Sequence, residues 1–384
     1  MSAFRKIKVL FVTHYRELYG ANNSLLQMIL ELRSKGIVPV VLMPDYEIQP
    51  GNDLGLELDK LGIKHIDARI RFDKHKDWRK AAANYIINGL RRRDFLDKVK
   101  DTDFDIVHSN SSIITAGACI AKKFGKPHVW HIREFGDLDY GMKTPFGKWF
   151  QKIIYRGDNT FIAISDSVRK HYSKWLDGKK IRVIYNGIKP SPQRKAETHE
   201  QVEICIVGFI QREKGQMDLI KAIDDLVNKR NIHNLHVTLV GSSDKEYAEE
   251  INLYVKDHGL SDFVTMTGRR NDVAELLTKM DIGVMASAHE AFGRTTVEYM
   301  MAGLAVVASD GGANKEIIED NKTGVIYKSG YPSSLADKIE QLIRDPGKRE
   351  RLAVEGRMAA EKRFSSKANS DAVYKLYNEI LKNS

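Results

Sequence analysis

The sequence predicts an α/β protein built as two Rossmann-like, doubly wound domains. Three observations carry this reading. The chain's 384 residues exceed what one hydrophobic core usually organises. Short apolar runs alternate with helix-length segments along both halves, the pattern of strands buried on both faces of a parallel sheet. Between the halves, residues 189–201 (KPSPQRKAETHEQ) carry two prolines and no apolar period, which reads as a linker. The expected division is therefore 1–190 and 202–365.

Composition narrows the class. Hydrophobic residues make up 42% and charged residues 29%, as in a soluble globular chain. Cys119 and Cys205 both lie in apolar runs and read as buried thiols of a reducing compartment. No apolar run approaches the ~20 residues of a spanning helix. The run Val9 to Val12 is too short for a signal peptide, so a cytoplasmic protein is expected.

Taken in order, Lys8 to Thr13 is a first strand, and Ser24 to Ser34 a helix with Leu25, Leu26, Ile29, Leu30 and Leu32 on its apolar side. Val38 to Met43 and Lys64 to Ile66 follow as strands. Asp105 to His108 and His128 to Trp130 flank a helix through Ala116–Lys123, and Thr160 to Ile164 is the next strand. Ser165 or Asp166 caps a helix after it, and Asn186-Gly187 reads as a turn closing the domain. The second half opens with the strand Val202 to Ile210 and continues through His236 to Ser243 and Phe263 to Gly268. A helix capped by Asn271 or Asp272 comes next.

Charge is unevenly spread. Residues 1–190 hold 34 Lys and Arg against 21 Asp and Glu, net +13, whereas the remainder holds 27 against 30, net −3. The excess concentrates in Arg69 to Lys100, with 11 basic and 4 acidic residues interleaved with Phe72, Trp78, Tyr85 and Leu90. A basic, partly amphipathic helix there suits an anionic membrane surface or an anionic acceptor. An ordinary solvated helix face fits equally well. No nucleic-acid-binding module is recognisable.

The densest chemistry lies in His289 to Gly303, HEAFGRTTVEYMMAG, after the apolar run Asp281 to Ser287. A strand, a Phe292-Gly293 turn, a helix from Thr295-Thr296 and a stop at Gly303 are expected. That layout sets backbone N–H groups and a positive helix end at a strand's carboxyl edge, where doubly wound sheets hold anions. Glu290 and Glu298 bracket the corner. Carboxylates repel phosphate but accept hydrogen bonds from hydroxyls, so the combination suits a nucleotide sugar.

This spacing, with the following AGLAVVASDGGANKEII (Ala302 to Ile318), resembles the signature of retaining glycosyltransferases of the GT-B fold, family four. The resemblance implies two domains facing across a cleft and a closing helix, 366–384, that crosses back to the first. It implies that Glu290 contacts the donor sugar and Glu298 the ribose, with Phe292, Gly293, Arg294 and Thr295 supplying the corner against sugar and pyrophosphate. Lys214 of QREKGQ would clamp the pyrophosphate. The family's arginine position is Phe209 here, and Arg212 is the candidate replacement. Gly20 stands where the family often has two glycines, but Ala21 follows it. His131 of WHIREFGD would meet a donor hydroxyl or the departing phosphate, whereas His108 reads as a structural histidine.

The expected activity is metal-independent hexosyl transfer from a UDP- or GDP-sugar to a saccharide or lipid-linked acceptor. Its setting would be cell-surface polysaccharide or glycolipid assembly, at the inner face of a membrane. No cofactor is expected, and no Asp-x-Asp pair suits Mg²⁺. The first strand lacks G-x-G-x-x-G after it, which speaks against a nicotinamide oxidoreductase. A sugar-nucleotide epimerase of the same fold and a non-catalytic sugar-nucleotide-binding protein stay open.

Overall fold

The computed structural model describes residues 6–48, 51–157, 159–194 and 201–383. The chain forms two compact units, Met1–Gly187 with Ser366–Ser384, and Ile188–Ser365.

The first unit is a parallel sheet of β1 (Ile7–Val12), β2 (Ile37–Pro44), β3 (His65–Ala68), β4 (Ile106–Ser109), β5 (His128–Ile132), β6 (Asn159–Ala163) and β7 (Ile181–Val183). Their spatial order is β3-β2-β1-β4-β5-β6-β7. β1 shows why its sequence is apolar without alternation. Val9 and Phe11 pack against Leu25, Met28 and Leu32 of the helix Gly20–Ser34, while Leu10 and Val12 face a second core with Phe95, Ile114 and Ile120. Both faces are covered, so both parities must be apolar.

The first helix starts at Gly20, four residues before the expected Ser24. Asn22 and Asn23 do not stop it. Their amides donate back to the carbonyls of Tyr15, Glu17 and Leu18 at 2.8–2.9 Å, which ties down the loop ahead of the helix. β5 also runs further than expected, to Ile132, which places His131 inside a strand. The basic stretch is two helices, Trp78–Leu90 and Arg92–Val99, broken at Arg91. Arg79, Lys80 and Arg91 to Arg93 are exposed, while Ala81, Ala82, Phe95 and Val99 are buried.

The closing helix, Ser366–Asn383, belongs to the first unit, with Val373, Leu376 and Tyr377 buried in the same core as Leu25 and Met28. Its entry depends on Gly187, where a Cβ would lie 2.7 Å from Ser366 Cα. The segment expected to be only a turn is therefore a close backbone contact.

The second unit orders β8 (Val202–Val207), β9 (Leu235–Val240), β10 (Val264–Gly268), β11 (Ile282–Met285), β12 (Ala305–Ser309) and β13 (Val325–Tyr327) as β10-β9-β8-β11-β12-β13, again parallel. Of the expected linker, 195–200 lie outside the described residues. Its start is not loose. Arg194 ion-pairs with the buried Asp281 and with Glu350, and its N–H donates to Ala302 O at 2.8 Å. A buried carboxylate needs a partner, and Arg194 supplies it.

Among the described residues, no helix is long and apolar enough to cross a membrane. Both cysteines are free thiols, Cys205 buried and Cys119 half-buried. In each sheet the chain order reverses once, between β1 and β4 and between β8 and β11. Ligands of doubly wound sheets sit beyond the carboxyl ends of the strands at such reversals. The candidate residues cluster at both.

Candidate active site

In the second unit, β8 and β11 lead directly into the predicted groups. β8 is followed by the short turn Arg212–Lys214 and then Gly215, at φ 73°. A Cβ on Gly215 would meet Ala286 O at 2.6 Å, so this turn lies against the chain leaving β11. That approach brings Lys214 Nζ to 3.3 Å from Glu290 Oε2, across 76 residues of sequence. Both side chains keep some solvent exposure, 36% and 17%. The pair is a charge-assisted contact that a ligand phosphate can exchange with.

Beyond β11 the chain turns through Phe292 and Gly293 into the helix Arg294–Ala302. The helix starts one residue earlier than expected. Gly293, at φ 84° and ψ 52°, is its N-cap, and Thr295 and Thr296 lie within it. Thr296 instead donates to Asn314 Oδ1 at 3.2 Å in the interior. The N-cap therefore contributes no side chain over the positive helix end. Phe292 is 2% exposed and packs edge-on to Phe364, so its side chain belongs to the core. Arg294 holds Glu298 one turn along at 2.8 Å, and burial pushes the Glu298 carboxyl above its usual range while Arg294 pulls it back. Thr295 is half-buried.

Gly311 and Gly312 explain how Glu290 is held. A Cβ on Gly311 would come within 2.1 Å of Ala288 O, and one on Gly312, at φ 56°, within 2.2 Å of Glu290 O. The double glycine lets the loop after β12 run backbone-to-backbone against the segment carrying Glu290, and Ala313 N–H donates to Glu290 O at 2.8 Å. Beneath it, Ser309 donates to Ser287 O and Asn314 to Ser309, which continues the link from Thr296. Ser287, Ser309 and Asn314 carried no sequence signal, because isolated polar residues in strands and loops have no period.

Arg212, the candidate replacement for the family arginine, is engaged elsewhere. Its guanidinium binds Glu250 at 2.5 Å, stands over the Tyr247 ring at 5.2 Å, and leaves the side chain 67% exposed. Phe209 is half-exposed. Lys214 is thus the cation that the turn after β8 brings to Glu290.

In the first unit the residues around His131 form a buried hydrogen-bonded chain. Tyr377 of the closing helix lies 2.7 Å from His108 Nδ1, and His108 Nε2 lies 3.1 Å from His131 Nδ1. Arg133 Nη2 also reaches His131 Nδ1, at 3.4 Å. A guanidinium only donates, so His131 Nδ1 accepts and the proton of this neutral ring sits on Nε2. His108 must then donate from Nε2 and accept at Nδ1 from the Tyr377 hydroxyl. Burial, then the Arg133 charge, holds both rings well below the ordinary histidine pKa, so both are neutral at pH 7. His131 Nε2 has no partner among the described residues. It is a fixed donor.

Arg133 is itself wired in place, Nε to Asn110 Oδ1 at 2.6 Å and Nη1 to Asn186 Oδ1 at 2.5 Å. Asn186, expected to lie in a turn, is instead a contact residue in an irregular segment after β7. Glu134 accepts from Ser111 and twice from Ser112 at 2.6–3.0 Å. Gly20 begins the first helix, with no side-chain cap from Tyr19, and a Cβ there would meet nothing within 4 Å. At Ala21, the carbonyl accepts from Asn110 at 3.2 Å.

Two parallel α/β units with candidate ligand groups at both order reversals are the GT-B architecture. Solved structures with the same fold include a glycosyltransferase from Rickettsia africae (TM-score 0.81, 22% identity, 99% of this chain and 100% of that one). Anabaena HepE in complex with UDP-glucose is another (TM-score 0.78, 19% identity, 97% and 100%). Residues 188–358 match the family model of glycosyl transferases group 1, and 19–191 that of glycosyltransferase family 4. D-inositol 3-phosphate glycosyltransferase of Paenarthrobacter aurescens is 32% identical over 285 residues, 67% of this chain and 68% of that protein. The chain belongs to glycosyltransferase family 4, and it is a glycosyltransferase.

Proposed function

We propose that the chain transfers a hexosyl group from a UDP- or GDP-sugar to a hydroxyl of a saccharide or lipid-linked acceptor, with retention and without a metal ion. The observation that carries this reading is the Lys214–Glu290 pair at the order reversal of the second sheet, beside a glycine-capped helix end. In the donor's absence Glu290 neutralises Lys214. A bound diphosphate would take Lys214 over and free Glu290 to accept from sugar hydroxyls, while Glu298 accepts from the ribose. Gly293 and the amides of Arg294 and Thr295 would face the pyrophosphate. UDP-glucose bound to the same fold in HepE supports the donor class.

The bond between the sugar's C1 and the phosphate oxygen breaks while the acceptor oxygen bonds C1 on the same face. The acceptor's proton passes to the departing phosphate. Lys214 stabilises the charge growing there, a charge-assisted bond of about 1.5–3 kcal/mol. In the first unit, the His131 Nε2–H suits a hydroxyl or phosphate oxygen as a donor and cannot act as a base. Gly20 leaves the start of the first helix open to an anionic group. A basic first unit fits cell-surface polysaccharide or glycolipid assembly at the inner, cytoplasmic face of a membrane.

The test is a thermal-shift screen against UDP-, GDP- and ADP-sugars, followed by donor hydrolysis with the wild type and Glu290→Gln. UDP- or GDP-sugar should raise the melting temperature, and Glu290→Gln should lower turnover. No shift with any donor, or unchanged hydrolysis in the variant, contradicts the assignment.

A further inference from the structure

The first unit contains a cavity of about 490 Å³ that none of the candidate site residues above lines. Its walls include Trp78, Phe135, Met142, Phe146 and Trp175, and Lys74 also lines it. Loop 73–77 is pinned there by paired backbone bonds between His75 and Lys143, at 2.8 and 3.3 Å. Tyr85 of the helix Trp78–Leu90 stacks edge-on with Phe146 and Phe150 at 6.4 and 5.1 Å, which joins the basic stretch to the helix Lys148–Ile154.

Lys74 is 6% exposed. Its ammonium donates to Ser112 Oγ at 3.1 Å and Tyr172 Oη at 3.4 Å, and stands 5.5 Å from the Tyr172 ring centre. Both partners are neutral. Among the described residues no carboxylate forms an ion pair with it, and Glu134 is reached only through the Ser112 hydroxyl, which donates to it at 2.6 Å. Two of three ammonium protons are thus used, and a buried cation without a paired anion is costly. Asp137, the carboxylate in the wall, lies 2.8 Å from His171 Nε2 and accepts from the Leu138 N–H at 3.0 Å. The cavity therefore offers an aromatic wall with a cation at its base.

Trp78 and Phe146, which line the cavity, and Leu138, Tyr140, Trp149 and Ile153, which lie within three residues of lining positions in the chain, are each 40% or more exposed, an unusual density of large apolar side chains for a protein surface. Exposed Arg79, Lys80, Lys143 and Lys152 flank them. Aromatic and basic side chains mixed in this way suit the headgroup level of an anionic bilayer.

We propose that this cavity binds a lipid phosphate, with a prenyl or acyl chain among Trp78, Met142, Phe146 and Trp175 and the phosphate on Lys74. The proposal rests on the glycosyltransferase reading only in naming the acceptor class. An acceptor carried on a lipid phosphate would be held here by its anchor, and its sugar left to the reaction.

The test uses the full chain in detergent-free buffer, with farnesyl phosphate, farnesol and inorganic phosphate as probes. Three of the four tryptophans, Trp78, Trp149 and Trp175, line or border the cavity, so intrinsic fluorescence reports occupancy. Farnesyl phosphate should bind at least ten-fold more tightly than either fragment, and Lys74→Met should weaken it about ten-fold while leaving farnesol unchanged. If Lys74→Met does not fold, the half-exposed Trp78→Ala carries the test, weakening farnesyl phosphate and farnesol alike by several-fold. Equal binding of farnesol and farnesyl phosphate overturns the proposal. So does inorganic phosphate matching farnesyl phosphate, which would mark a free-anion site, or unchanged affinity in the folded variants. The sugar-nucleotide thermal shift depends on groups of the second unit, so its outcome stands apart from this one.

Discussion

The two candidate regions sit at equivalent places in two similar sheets, yet they are built in opposite ways. In the Tyr377–His108–His131–Arg133 chain the rings and the guanidinium are buried and locked by directional contacts, and His131 Nε2 is left without a partner among the described residues. Around Glu290 the contacts are ion pairs between partly exposed side chains. The difference teaches what each can do. A buried neutral network fixes a proton on one atom and cannot rearrange cheaply. A partly exposed ion pair costs little to open and can trade one partner for a ligand's charge.

The comparison breaks most visibly at the backbone. Gly312→Val places a branched side chain at φ 56° against the Glu290 carbonyl. It should destabilise the second unit by on the order of 3 kcal/mol, or roughly 6–12 °C in melting temperature, and abolish the sugar-nucleotide thermal shift. A near-native shift would mean that the corner does not hold the donor. Next in size, Lys214→Ala should slow donor turnover about 10- to 100-fold, the loss of one charge-assisted bond, with little change in melting temperature.

In the first unit the expected effects are on stability first. Tyr377→Phe leaves His108 Nδ1 buried without its donor, a cost of about 1–3 kcal/mol. If the chain orients His131, turnover should fall several-fold too; a loss of stability with native turnover would make the contact structural only. Acid should find the same region. His14 and His128 are pushed down to about 3 and about 4 by burial, and His108 and His131 lie well below normal. The unfolded chain therefore takes protons first, and stability drops as pH falls below about 6.5. Asp73 and Asp139, raised by burial to about 6, act oppositely and return part of the loss between about pH 6 and 4. The melting temperature should fall from pH 7.5 to 5.5 and more gently below pH 6. A flat or rising profile contradicts the neutral histidines. Smallest of all, Arg212→Ala should change donor turnover less than three-fold, since Glu250 already occupies its guanidinium.

Much of this was legible in the chain. Strands buried on two faces announce themselves as apolar runs, and Gly293, Gly303 and the Gly311-Gly312 pair announce turns, because those signals are local. Glu290 and Glu298 stood out in one compact motif and Lys214 in another, and the structure brings Lys214 and Glu290 together. Boundaries slipped where a side chain acts through the backbone, as when Asn22 and Asn23 tie down the loop ahead of the first helix.

Local sequence determined which segments become strands and helices and where the chain turns, since propensity and period act within about a dozen residues. Only the tertiary structure decided which distant groups meet. Lys214 reaches Glu290 because Gly215 admits the end of β11. Tyr377 reaches His108 across 269 residues because Gly187 lets the closing helix return to the first core. Arg212, closer in sequence to the expected position, turned to Glu250 instead. The physical reason is the same in each case: a side chain's partner is set by packing and by the charge nearest in space, and neither leaves a period in the sequence.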